Sequence, residues 1–201
     1  KNVPGSDELI SSKMLSDGIL TFNDIMKSND PVIMDMFLNS PFYCPPKEHI
    51  DPWNGKKWYS LNFFGAPTFR PYMTQQTFSD DNETMAFCDS NGFIYTYNIR
   101  TYMVEKIGNI VMESATRPKY VAMTFRNGTS ELYYVTPDIE LMMYDVKTKK
   151  TTLIAKCPQH IVGAGDLSVT KDGTRIAFDT KTPTLVDGKI KNMGTSALYD
   201  R

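Results

Sequence analysis

One pattern occurs three times along this 201-residue chain, and it constrains the fold more than any other feature of the sequence. An apolar end, a polar turn and an apolar run make up residues 78–87, 125–134 and 169–178, whose starts are 47 and 44 residues apart. Each copy is followed by a second shared segment, at 93–98, 140–145 and 195–200. A fixed period of this length is typical of repeat architectures, so the repeat predicts the fold before any single element does.

The turns inside the repeats predict β-hairpins. Gly128 follows Asn127 and Gly173 follows Asp172, and these pairs supply the positive-φ residues that tight hairpins need; Asn82 after Asp81 does so less strongly. In the first two copies a further short strand follows, at 103–107 and 151–155. Four short strands in about 45 residues is the spacing of a β-propeller blade. A β-sandwich has similar strand spacing, but it has no reason to repeat strand content in register.

The predicted fold class is therefore all-β: a partial β-propeller of about three four-stranded blades, preceded by a short irregular or helical segment. Residues 1–58 form this N-terminal extension and residues 59–201 form the blades, with repeat units at about 72–110, 116–157 and 160–201. The third unit stops before its outer strand. We therefore expect a fragment whose missing blades lie in the same polypeptide or in another chain.

The N-terminal extension does not repeat. Its sequence predicts short helices at 24–28 and 32–38, and then a loop over 41–58 that contains Pro45-Pro46 and Asn54-Gly55. Residues 58–64 are expected to supply an outer strand that closes the ring.

Two stretches of sequence carry a family resemblance. The phrase TFSDDNETMAFCDSNGFIYTYNIRT from Thr77, and LSVTKDGTRIAFDT from Leu167 with its later ALYD, resemble the repeats of TolB-type propellers, which are related to the WD40 pattern. The similarity covers residues from about 72 to 201. Residues 70–78 and 162–168 are most similar to oligogalacturonate lyases.

That resemblance implies a seven-bladed propeller that cleaves pectin fragments by β-elimination, with a divalent metal such as Mn or Ca and a histidine base. It also implies a secreted or periplasmic protein rather than a cytoplasmic one. The expected partner is an acidic, uronate-containing oligosaccharide. Because the chain has only two histidines, the cation would be bound by residues beyond it, and no metal ligand is predicted within it.

Charge and composition exclude several other classes. The 22 basic and 23 acidic residues give a formal charge of −1, so no global field attracts nucleic acid or anionic lipid. No apolar run approaches the roughly 18 residues that span a bilayer. Three cysteines without CxxC spacing indicate neither a disulfide framework nor a zinc site.

Propeller geometry places the candidate site. The segments leading into each innermost strand and the loops between second and third strands share one end, called the mouth here, and the hairpin turns lie on the opposite face. The mouth loops include Asp89, expected to start a hairpin turn rather than a calcium loop, and a long insertion at 180–192. The predicted substrate-binding residues are Arg70, Tyr72, Gln75, Arg117, Lys119 and Asp166.

Five of these candidates have both a functional and a structural interpretation. Arg70 can pair a substrate carboxylate beside the Tyr72 ring, or tie adjacent blades together. Arg117 and Lys119 fit the same role or form a solvated basic rim, and Gln75 contacts substrate or satisfies a neighbouring backbone group.

No catalytic residue is assigned from the sequence. His160 is a weak candidate for a base or ligand, and the alternative is an ordinary hydrogen bond between blades. His49 is expected to be exposed in the loop beside Glu48.

Three function hypotheses remain open. The first is a carbohydrate-active propeller that binds or cleaves uronate oligosaccharides by β-elimination, and the second is a non-catalytic TolB-like binding module. The third is the propeller domain of a prolyl-oligopeptidase-like hydrolase. The chain contains no GxSxG motif and no phosphate-binding glycine loop, so serine and nucleotide chemistry are not encoded within it.

Overall fold

The computed structural model describes residues 41–61, 68–69, 75–89, 91–111, 121–158 and 163–200, and every regular element in these ranges is a β-strand. The strands are β1 (Phe42–Tyr43), β2 (Lys47–Ile50), β3 (Lys57–Ser60), β4 (Thr68–Phe69), β5 (Thr84–Asp89), β6 (Phe93–Asn98), β7 (Met103–Asn109), β8 (Met123–Phe125), β9 (Glu131–Val135), β10 (Glu140–Asp145), β11 (Lys150–Lys156), β12 (Gly163–Val169), β13 (Arg175–Val186) and β14 (Lys189–Asp200). The predicted helices at 24–28 and 32–38 lie outside the described residues. Within these ranges no helix is long and apolar enough to cross a bilayer.

The strands form antiparallel meanders, which is the pattern of propeller blades. The first sheet has the order β1-β7-β6-β5-β4, the second β11-β10-β9-β8 and the third β12-β13-β14, while β2 and β3 pair with each other. The fold is all-β and is a partial β-propeller, as the repeat predicts. The predicted segments 93–98 and 140–145 coincide with β6 and β10 to the residue.

The chain divides into two compact units. One comprises Lys1–Ala66 and Tyr97–Lys106, and the other comprises Pro67–Thr96 and Ile107–Arg201. The second unit contains a contiguous apolar core, formed by side chains of the repeated strands. Its fully buried members include Ile94, Met123, Phe125, Leu132, Tyr133, Leu141, Leu167 and Ile176. Burial of this repeated set is what stabilises the sheets against one another.

Residues 47–60 correct the predicted loop and the predicted ring-closing strand. Lys47–Ile50 pairs with Lys57–Ser60 in an antiparallel hairpin whose turn places Gly55 at φ 67°. Of the predicted strand 58–64, the structure describes residues 58–61, and residues 58–60 pair with β2. The Asn54-Gly55 turn brings these two neighbouring segments together. The strand added outside β7 is instead β1.

The predicted long insertion at 180–192 is also wrong as a loop. β13 and β14 pair continuously from Arg175↔Asp200 to Val186↔Lys189, and Asp187 and Gly188 form the turn with positive φ. Pro183 lies within this ladder and pairs with Asn192 of β14; on the other side of β13, the pairing with β12 is described from Gly163↔Lys181 to Val169↔Ile176. Beyond Lys181, β13 and β14 stay paired as far as the turn.

Candidate functional site

The three repeat turns of the second unit lie on one face. The Asp80 N–H donates to Thr129 O at 3.1 Å, and the Lys147 ammonium lies 3.2 Å from the Asp80 carboxylate. An Arg126 Nη1 donates to Lys171 O at 3.2 Å. These contacts link the turn at 79–84 to that at 126–131, and that turn to the one at 170–175. The other ends of the strands that these turns connect are therefore the ones available for a mouth.

Two of these turns share the same hydrogen bond between a hydroxyl group and an aspartate. Ser79 Oγ donates to Asp81 and Thr170 Oγ1 donates to Asp172, each at 2.6 Å. The hydrogen bonds from Thr170 and Thr174 lower the pKa of Asp172 to about 2, and Ser79 lowers the pKa of Asp81. These carboxylates fix the turns, so they are structural groups.

The innermost segments of the three sheets are joined at Gln75 and Gln76. The buried Gln75 side chain donates from Nε2 to Leu167 O at 3.2 Å. The Gln76 N–H donates to Thr124 Oγ1 at 2.9 Å, and its carbonyl accepts from Phe125 N–H at 2.9 Å. Gln75 thus makes the backbone contact that its structural interpretation describes, and contact with substrate stays a prediction.

Five of the predicted site residues lie outside the described residues. They are Arg70, Tyr72, Arg117, Lys119 and His160. The structure brings Gln75 into contact with β12, the innermost strand that carries Asp166. The roles of the basic residues in binding substrate stay predictions. Lys119 and His160 precede, within a few residues, the starts of β8 and β12 in the sequence.

Asp166 is the predicted site residue whose chemistry the structure describes most fully. It lies on β12 where the register with β13 shifts between Ala164 and Leu167. Its Oδ1 is buried and has no hydrogen-bond partner in the described part of the chain. Burial raises the pKa of Asp166, and the negative charge of Asp179 raises it further. A carboxyl with a raised pKa and an unused oxygen is suited to accept a hydrogen bond or a proton.

The loop between β5 and β6 is a closed hairpin turn. Asp89 Oδ1 accepts the backbone N–H groups of Asn91 and Phe93, both at 2.9 Å, and Gly92 has a φ of 82°. The carboxylate is thereby committed to the backbone, as the sequence predicts for a turn rather than a calcium loop.

The described residues do not fit a metal site or a cysteine nucleophile. No group of three or more His, Cys, Asp or Glu side chains in the described ranges could hold an ion. The three cysteines are free thiols, and burial raises the pKa of Cys44 to about 11 and that of Cys88 to about 12. At neutral pH these two sulfurs are protonated and weakly nucleophilic.

Sequence reasoning missed an aromatic hairpin in the other unit. His49 is half-buried rather than exposed: its ring stacks on Trp58, with centroids 4.1 Å apart and planes 14° apart. Its Nε2 lies 2.7 Å from Ser60 Oγ. The nearby Trp53 and Tyr59 are exposed. The available signal was the Asn54-Gly55 turn, which the aromatic pair Trp58-Tyr59 follows within a few residues.

Comparison with known proteins identifies the fold. No protein-family profile matches the sequence, and no curated protein matches it. The crystal structure of oligogalacturonate lyase from Vibrio parahaemolyticus is similar with a TM-score of 0.58 at 16% identity, over 72% of this chain and 38% of that one. An oligogalacturonate lyase in complex with manganese is similar with a TM-score of 0.57 at 17% identity, over the same shares of the two chains, 72% and 38%. The chain thus spans 38% of the length of these structures, and the likeness shows the β-propeller fold.

Proposed function

We propose that this chain is part of a carbohydrate-active β-propeller that binds acidic, uronate-containing oligosaccharides at its mouth. The observation that carries the proposal is the junction at Gln75 and Gln76, where the innermost segments of three sheets meet while their turns share the opposite face. The similar structures bear the name oligogalacturonate lyase. A propeller mouth built from these strands is the concave, multi-strand site that such a ligand requires.

The basic residues of the sequence supply the recognition in this proposal. Arg70 and Arg117 pair uronate carboxylates through two parallel hydrogen bonds, and Lys119 adds a third positive charge. The Tyr72 ring packs on a sugar face. Because these 201 residues together have a formal charge of −1, attraction of a polyanion to this chain depends on this local group of cations.

In the complete protein the proposed reaction is β-elimination. A base takes the proton from C5 of the uronate, the C5–H electron pair forms the C4–C5 double bond, and the 4-linked sugar leaves with its oxygen. Ionising C5 requires that the adjacent carboxylate be neutralised. His160 is the candidate base in this chain. The described residues do not fit a divalent cation, so neutralisation within this chain is assigned to arginine.

The proposed partners include further propeller blades and the acidic oligosaccharide. Ala177 on the third sheet is exposed, whereas its repeat equivalents Ala86 and Tyr133 are fully buried. A further four-stranded sheet packed on this face would complete the repeated arrangement. The proposed location of such an enzyme is the periplasm or the exterior of the cell.

Product formation tests the proposal. The protein in its full-length form is incubated with trigalacturonate, with and without Mn²⁺ or Ca²⁺, and the ultraviolet absorbance of the unsaturated product is recorded. We expect product, and a loss of at least about tenfold in kcat/KM for Arg117→Ala. Arg175→Ala, on the turn face, is the matched control and should leave kcat/KM unchanged. Binding without product would support the non-catalytic module, and neither binding nor product would contradict the proposal.

A further inference from the structure

Both tryptophans of the sequence lie in the β2–β3 hairpin, and both are exposed. Trp53 in the turn is 95% exposed and Trp58 on β3 is 52% exposed. Tryptophan is highly buried on average in folded proteins, and exposed aromatic groups in one small element mark an interaction surface.

The ring of Trp58 is held in place. Its neighbour across the strands is His49, which stacks on one face of the indole at 4.1 Å. Since His49 Nε2 is also within 2.7 Å of Ser60 Oγ, the imidazole is anchored from the opposite strand. The half-exposed indole therefore presents its second face to solvent in a fixed orientation, which lowers the entropy that a ligand must offset on binding.

The two faces of the hairpin differ in charge. Glu48, Lys57 and Tyr59 lie on one face, where the Lys57 ammonium is 3.0 Å from the Glu48 carboxylate and Tyr59 Oη donates to the same group at 3.3 Å. Lys47 lies on the other face, with His49 and Trp58. Its ammonium makes no ion pair within the described residues, so the Trp58 face carries a positive charge that the hairpin does not neutralise.

We propose that Trp58 and Lys47 form a binding platform for one uronate unit of an acidic oligosaccharide. The C–H face of the pyranose packs on the open face of the indole, and its carboxylate pairs with the Lys47 ammonium. The two positions are diagonal neighbours, about 7–8 Å apart between strands, which a long lysine side chain spans. Two four-residue strands offer far less than the roughly 800 Å² that each partner contributes to a stable protein interface, which favours a small ligand.

This inference rests on the proposed function for its ligand class, and it concerns other residues than Arg70, Arg117 and Lys119. Tryptophan fluorescence of the 201-residue chain reports on it directly, because in this chain the Trp53→Phe variant retains Trp58 as its one tryptophan. In this variant we expect a saturable change in emission on titration with trigalacturonate. The fully methyl-esterified trisaccharide, which keeps the rings and loses the charges, should bind at least about threefold more weakly. Added salt should reduce that difference.

Matched substitutions separate the platform from the rest of the hairpin. In the Trp53→Phe background, Lys47→Gln should weaken trigalacturonate binding about threefold and leave binding of the methyl ester unchanged. Lys56→Gln, at an exposed lysine of the same hairpin, is the control and should alter neither. In the wild-type background, Trp58→Leu should abolish binding of trigalacturonate to the platform, as measured by calorimetry. Lys47→Gln keeps the test decisive if Trp58→Leu unfolds the hairpin.

The outcomes for the platform and the mouth are distinguishable. An emission change that survives Arg70→Ala and Arg117→Ala, while product formation is lost, supports the platform as a separate site. Product without any emission change in Trp53→Phe would overturn the platform and leave the proposed function standing. An emission change without binding or product at the mouth would overturn the proposed function alone. Equal responses to the acid and its methyl ester would overturn the role of Lys47.

Discussion

Asp166 and Asp172 belong to the same repeat unit, yet their environments shift their carboxyl pKa values in opposite directions. Hydrogen bonds from Thr170 and Thr174 lower the pKa of Asp172, whereas burial and the Asp179 charge raise the pKa of Asp166. The ionised form is therefore favoured in the turn and disfavoured on the innermost strand. Carboxyl groups with raised pKa values are often functional groups, and they reduce stability when ionised.

Asp166→Asn should raise the thermal midpoint at pH 7. The ordinary pKa of an aspartate, taken for the unfolded chain, is 3.8, and the pKa of Asp166 in the folded protein is higher. Ionisation of Asp166 therefore lowers the stability of the wild type as the pH rises above 3.8. The asparagine variant loses this penalty, and its advantage should shrink as pH falls toward that value. Thermal melts of both proteins across this pH range measure the difference. A constant difference at every pH would contradict the assignment.

At the scale of elements, the sequence predicted the strands correctly where the repeat and the turn residues indicated the same hairpin. The turns at Asn127-Gly128 and Asp172-Gly173 have Gly128 at φ 76° and Gly173 at φ 74°, as predicted. The hairpin at 47–60 was missed because its first strand, Lys47–Ile50, is mostly polar and follows two prolines. The continuous β13–β14 pairing was missed because a proline such as Pro183 is typical of a strand break, whereas the structure pairs it with Asn192.

The candidate site was less predictable than the fold. Gln75 was identified as a residue of the innermost segment, but its bond to Leu167 O joins positions far apart in the sequence. The Asp166–Asp179 interaction depends on a register irregularity, and the His49–Trp58 stack depends on an unpredicted pairing. The register between strands that are distant in the sequence is set by tertiary packing, and the local sequence pattern does not encode it.

Gly108 on β7 should resist substitution because of its contact with the second sheet. A Cβ built at Gly108 would lie 3.0 Å from the Tyr134 hydroxyl, whereas a Cβ at Gly194 on β14 would meet nothing within 4 Å. We expect Gly108→Ala to lower the free energy of unfolding by about 1–2 kcal/mol. Gly194→Ala should leave it unchanged or raise it by up to about 1 kcal/mol.

Urea denaturation of both glycine variants tests this contact. Adding Tyr134→Phe, which removes the clashing hydroxyl, should restore part of the stability lost in Gly108→Ala. Equal stabilities of the two alanine variants would contradict the predicted close approach.

At the scale of the molecule, the third sheet has one covered and one uncovered face. Ile176 and Phe178 on β13 are buried, while Leu198 on β14 is 68% exposed and pairs with the exposed Ala177. Fully buried side chains occupy the positions equivalent to Ala177 in the first two repeats. An apolar surface of this kind favours association, with a further blade or with another copy of the chain.

Leu198→Glu should suppress self-association of the 201-residue polypeptide. We expect the unmodified chain to show concentration-dependent oligomers in sedimentation velocity, because the uncovered face buries apolar area on contact. A glutamate at this position would have to be desolvated, so the variant should remain monomeric. Leu153→Glu, at an exposed leucine on β11, is the control and should change association little. A monomeric wild type at every concentration would contradict the prediction.

The most direct test of the proposed function is calorimetric titration of the full-length protein with trigalacturonate and with its fully methyl-esterified form. We expect saturable binding of the acid that weakens as salt is added, and much weaker binding of the ester, because cations recognise the carboxylates. Equal affinity for both ligands, or no binding of either, would contradict it.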